Sequence, residues 1–156
     1  VARAARLNLP GSGALVGYVH NAYSPNMGRT GAAVALASET SNIRALRELG
    51  QKLAMHVVAA APIALNKESI DLSLIQKERD ILTEQAKSSG KPQNVIDKMV
   101  SGRLNKYFKE VALLEQAYVL DEQAGSVREV LAAESTRLGT SVELAGFARY
   151  HVGESS

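Results

Sequence analysis

The sequence predicts an α+β fold, a small mixed or antiparallel sheet packed on helices, with an antiparallel helical hairpin inserted into it. Three observations predict it. Apolar residues alternate with a period of two near both ends of the chain, they recur at three- and four-residue steps between, and residues 67–110 turn more charged around a Ser88-Ser89-Gly90-Lys91-Pro92 break. Strands and helices that are segregated rather than regularly alternating argue against a doubly wound parallel sheet. A length of 156 residues suits one domain. The expected organisation is an extended N-terminal segment over residues 1–13 and a core domain over 14–156 that carries the hairpin at 67–110.

The first segment mixes Arg3, Arg6, Pro10, Gly11 and Gly13 and reads as extended. Residues 14–21 then alternate, with Val16, Tyr18 and His20 on one face and Leu15, Gly17 and Val19 on the other, which is strand periodicity. Pro25, Asn26 and Gly28 mark a turn, and the small apolar run 31–37 supplies a second strand, so the two make a hairpin with a long, irregular connection. Ser41 or Asn42 can cap a helix whose Leu46, Leu49, Leu53, Val57 and Ala60 form one apolar stripe that ends at Pro62. On its flank Glu48, Lys52 and His56 stand four apart and are expected to form a polar edge, with an ion pair worth about 0.2–0.5 kcal/mol.

In the hairpin, Leu74, Ile75, Ile81 and Leu82 repeat seven apart in the first arm. Ile96, Met99, Val100, Arg103, Leu104 and Tyr107 fall at helical spacing in the second. Gly90 suits the left-handed position after a helix, and Pro92 suits the first turn of the next. The apolar stretch 111–120 reads as a buried strand. Ser126 and Glu129 form a capping box before a helix closed by Gly139, and residues 143–152 alternate again as a final strand.

Composition narrows the function. Lys and Arg number 18 against 16 Asp and Glu, a net charge of +2, too small for an electrostatic footprint on nucleic acid or an anionic membrane. The surplus is local: residues 1–66 hold six basic and two acidic residues. Five tyrosines, two phenylalanines and no tryptophan leave few platforms on which bases could stack. The absence of cysteine removes disulfides, thiol nucleophiles and Cys-based zinc sites and suits a reducing compartment. No apolar run approaches the roughly 20 residues that span a bilayer, so no membrane insertion is expected. No signal peptide is visible, and a first residue of Val1 rather than Met leads us to expect residues upstream.

No catalytic constellation stands out. Gly11, Gly13 and Gly17 precede and enter a strand, whereas a phosphate loop follows one and opens a helix. The three histidines offer no pair at metal-ligand spacing, and serines near histidines have no triad order to support them. We expect no enzyme and neither metal nor cofactor. His20 is the more interesting candidate, since residues at strand ends beside loops are positioned to meet partners. His56 has a plain alternative as a satisfied histidine at the border of the buried stripe.

Specific strings then accumulate: Tyr18-Val19-His20-Asn21, Gly28-Arg29-Thr30-Gly31, Lys52-Leu53-Ala54-Met55-His56-Val57, Ser101-Gly102-Arg103-Leu104-Asn105-Lys106-Tyr107-Phe108, Leu113-Leu114-Glu115-Gln116 and Phe147-Ala148-Arg149-Tyr150-His151-Val152-Gly153-Glu154. In this order and spacing the chain resembles translation elongation factor Ts from about Gly13 to Glu154, with a flavour similar to the alphaproteobacterial and mitochondrial branch. The resemblance implies a guanine-nucleotide exchange factor that binds elongation factor Tu and favours GDP release, without covalent chemistry or a cofactor. It implies contact positions at His20 on the strand and at Gln51 and Lys52 on the helix, and self-association through the hairpin in some members. The expected partner-binding set is therefore His20, Asn21 and Arg29 at the strand end and its loop, with Gln51, Lys52 and His56 on the helix edge. Members also carry an upstream helical bundle and a first core half with a Thr-Asp-Phe-Val segment, neither of which is found in these 156 residues. Two expectations follow: a part of an exchange factor, or a repurposed structural subunit of a larger mitochondrial assembly. The expected location is the mitochondrial matrix, with the bacterial cytoplasm as the alternative.

Overall fold

The structure, a computed structural model, describes residues 3–154. They form two compact units, one gathering the residues up to Ala61 and from Ala117 onward, the other Pro62–Gln116.

The first unit is built on a three-stranded antiparallel sheet in the order β1 (Gly13–His20), β2 (Thr30–Ala37), β3 (Glu143–His151). β1 and β2 pair from Gly13 opposite Ala37 to His20 opposite Thr30, and β3 pairs with β2 from His151 opposite Thr30 to Glu143 opposite Ala37. A register shift between Ala35 and Leu36 brings Leu144 opposite Leu36. It keeps Leu144 and Phe147 on the same face, although Phe147 is an odd number of residues away.

That face packs on helix α1 (Ile43–Ala60), capped by the Asn42 side chain, which accepts from the Ala45 N–H. Leu46, Leu49, Leu53 and Val57 of the helix are buried, as the stripe predicts, and so are Val34 and Leu36 of β2. The approach is close enough to demand a glycine: a Cβ on Gly50 would sit 2.6 Å from Val16 Cγ2. Ala61, in the left-handed region, ends the helix with its N–H on the Val57 carbonyl. Helix α2 (Val127–Leu138 in this unit) buries Val127 and Leu131 and has the expected capping box, with Gly139 in the left-handed region at its end. The Val142 N–H donates to Ser135 Oγ, tying the helix end to the start of β3.

The second unit is the predicted helical pair, α3 (Leu72–Lys87) and α4 (Gln93–Val111), preceded by a short 3-10 turn at Lys67–Ser69. Leu82 and Ala86 pack on Ile96, Val100, Leu104 and Phe108, and Ile75 joins Ile70, Ala64 and Ala112. Of the four residues that repeat seven apart in the first arm, Ile75 and Leu82 face inward, whereas Leu74 and Ile81 are exposed.

Residues 111–120 are not the expected strand. Val111 ends α4, Leu113–Glu115 form a 3-10 turn, and Leu113 and Leu114 donate to the carbonyls of Ala64 and Leu65. The run is apolar because Ala112 and Leu113 are fully buried, and burial of a short apolar run does not reveal which backbone it adopts. Among the described residues no helix is long and apolar enough to cross a membrane.

Candidate functional site

The expected binding residues divide among three neighbouring surfaces of the first unit. The first lies at the end of β1. His20 is exposed there, and its Nδ1 stands 3.0 Å from the Tyr18 hydroxyl two residues earlier on the same face. Asn21 follows in the left-handed region and turns the chain away from the sheet. The loop folds back on itself, with Tyr23 donating to the Met27 carbonyl and Met27 to that of Ser24. Gly28 is the point of closest return, since a Cβ there would meet Val19 Cγ1 at 2.6 Å. Gln51 of α1 joins this surface: it shares with Tyr18, Val19 and Asn26 the lining of a hollow of about 720 Å³.

Arg29 sits just beyond, with its carbonyl accepting from the Val152 N–H and its side chain exposed. In an adjoining recess of about 560 Å³, which shares Val19, Asn26, Gly31 and Tyr150 with the first hollow, it lines the wall with Arg3, Tyr150, His151 and Glu154. None of these four companions was singled out as a binding residue from the sequence. The only signal for three of them was their place in the Tyr150-His151-Val152-Gly153-Glu154 string.

Lys52, the neighbour of Gln51, faces elsewhere. It lines a cleft of about 290 Å³ between α1 and α2, together with Glu48, Leu49, Tyr118, Asp121, Glu134 and others. The expected Glu48–Lys52 pairing is replaced by an ion pair of Glu48 with Arg44 at 3.0 Å. Below the rim lies Tyr118, whose hydroxyl is enclosed and meets no hydrogen-bond partner among the described residues. Burial, then the carboxylates of Asp121 and Glu134, push its ionisation up, so the phenol stays neutral.

His56 corrects the expectation most clearly. It is fully buried rather than part of an exposed polar edge. Its ring stacks on Tyr118 with centroids 5.7 Å apart, and its Nδ1 accepts the Val119 N–H at 3.2 Å. A side chain so enclosed cannot touch a partner; it fixes the path of residues 118–119 under the cleft that Lys52 borders. Among the described residues, no group of three His, Asp or Glu side chains is arranged to hold a metal ion.

These surfaces present the guanidinium groups of Arg3 and Arg29, the Lys52 ammonium, the amides of Asn21 and Gln51, and the imidazoles of His20 and His151, which are bonded to the hydroxyls of Tyr18 and Thr30. A family model described as Elongation factor TS matches residues 1–154. Among curated relatives, the chain is 46% identical over 152 residues to the elongation factor Ts of Paramagnetospirillum magneticum, covering 97% of this chain and 48% of that protein. It is 47% identical over 143 residues to that of Sphingopyxis alaskensis, covering 92% and 46%, and 42% identical over 154 residues to that of Caulobacter vibrioides, covering 99% and 48%. The chain spans about half the length of the curated relatives it matches.

Proposed function

The chain belongs to the elongation factor Ts family, and on that premise we propose that it is the part of an exchange factor that grips elongation factor Tu and favours release of GDP. The family match across residues 1–154 carries the reading. The exposed His20, Asn21, Arg29, Gln51 and Lys52 supply the contacts, while His56 acts beneath them as a positioning residue. The mechanism is linkage: a protein that binds the nucleotide-free GTPase more tightly than the GDP-bound form weakens GDP binding by the same factor. No group of this chain needs to react.

The bacterial relatives support a bacterial cytoplasm over the mitochondrial matrix. No observation favours the alternative of a repurposed structural subunit. We read residues 67–110 as an insertion in the core domain, and the outward Leu74 and Ile81, each 43% exposed and seven residues apart, as its self-association surface. Sedimentation of Leu74→Glu with Ile81→Glu against the parent chain checks this: loss of a dimer supports it, and an unchanged sedimentation coefficient refutes it.

The contact set is tested by binding. His20→Ala with Lys52→Glu is expected to weaken the complex with nucleotide-free elongation factor Tu tenfold or more while melting stays unchanged, because both side chains are exposed. Undiminished affinity would remove these residues from the interface.

A further inference from the structure

We propose that the recess between the β1–β2 loop and the end of β3 recognises a carboxylate-bearing segment of the partner protein. This rests on the reading above, that the same end of the sheet holds elongation factor Tu, and it adds the chemistry of what is held.

The recess is built around two guanidinium groups. Arg3 is positioned by the fold: it donates to the His151 carbonyl at 3.1 Å and lies over the Tyr150 ring, 5.1 Å from its centroid. That uses one of its five N–H donors, and a planar fork fixed from behind is poised to take a carboxylate from the front. Arg29 is anchored through its backbone, where its carbonyl accepts the Val152 N–H at 2.8 Å, one step beyond the pairing of Thr30 with His151. Its side chain is exposed and makes no ion pair among the described residues.

Among the described residues, the one acidic side chain lining the recess is already paired. Glu154 is bonded to Arg149 at 2.6 Å, and that bond, with the nearby charges of Arg149, His151 and Arg3, holds its carboxyl below the usual range. The remaining charge is cationic and waits for an acceptor of opposite sign. Gly28 and Gly31 leave the walls bare, and Val19 and Tyr150 supply apolar area beside the charges. Charge-assisted pairs from arginine to a carboxylate are strong and geometrically specific. A phosphate backbone is the weaker match, because the whole chain carries only +2 and two arginines do not make a track.

The experiment uses two probes. With the 15N-labelled chain at low salt, an acetylated hexaglutamate peptide is expected to shift the amides of residues 28–30 and 150–153, and Arg29→Glu is expected to reduce those shifts at least fivefold. Absent shifts, shifts unaltered by Arg29→Glu, or a stronger response at these amides to a single-stranded oligonucleotide of equal charge would overturn the proposal. In parallel, Arg29→Glu is expected to weaken binding to nucleotide-free elongation factor Tu at least tenfold. Unchanged binding there overturns the recess as a contact and leaves the functional reading standing. Hexaglutamate shifts at the recess without any binding to elongation factor Tu would instead overturn the functional reading and leave the recess as a carboxylate site.

Discussion

Tyr118 keeps a buried hydroxyl without a partner among the described residues, and such a group costs about 1–3 kcal/mol of desolvation. Tyr118→Phe keeps the ring on His56 and removes the orphan, so the unfolding free energy in urea should stay level or rise by up to about 1 kcal/mol. A clear loss of stability would mean that the hydroxyl is satisfied. His56→Ala should do the opposite and cost about 2–4 kcal/mol, since it empties a fully buried site and strands the Val119 N–H. The misplacement of His56 has a geometric origin. Residues four apart on a helix drift about 40° per step, so His56 lies about 80° around α1 from Glu48, enough to pass from the solvated edge into the stripe. The exposure of His20 was legible because a strand end beside a turn has few ways to be buried. Arg3 and Arg29 were not legible as a pair, because the register that brings His151 opposite Thr30 is a long-range fact.

Among the elements, those with local signals were read correctly. Asn42 and the 3.6-residue stripe define α1, and Ser126 with Glu129 defines α2, each through bonds made within one turn. Ser126→Ala should cost about 1 kcal/mol by thermal or urea unfolding, since the capping oxygen is lost. The same box predicts a pH dependence. Hydrogen bonds from the Ser126 backbone and side chain hold the Glu129 carboxyl below its ordinary value, so its contribution is present above that value and disappears as pH falls through the folded one. Glu129→Gln should therefore destabilise the chain at pH 7, with the gap to the parent closing toward pH 3; a constant gap would count against the box. Gly50→Ala sets helix propensity, a gain of about 1 kcal/mol, against a methyl 2.6 Å from a stiff Val16 branch, and the clash should win with a net loss of about 1 kcal/mol or more. The stretch 111–120 was misread because its first residues pair with residues 63–65, the whole helical hairpin away in sequence, and nothing in its own composition announces that partner.

For the whole molecule, the α+β class and the antiparallel helical pair were legible in segregated periodicities, and the family in strings that run nearly from end to end. The division of the expected binding residues among three surfaces was not, because it depends on how α1 lies against β1 and on which way adjacent Gln51 and Lys52 turn. In the proposed role, any effect on the GTPase comes from preferring one of its states. The most direct measurement is the dissociation constant of this chain for elongation factor Tu, taken without nucleotide and again saturated with GDP. Tighter binding of the nucleotide-free form, at least tenfold, is the expected result; equal affinity for the two forms, or none for either, would contradict it.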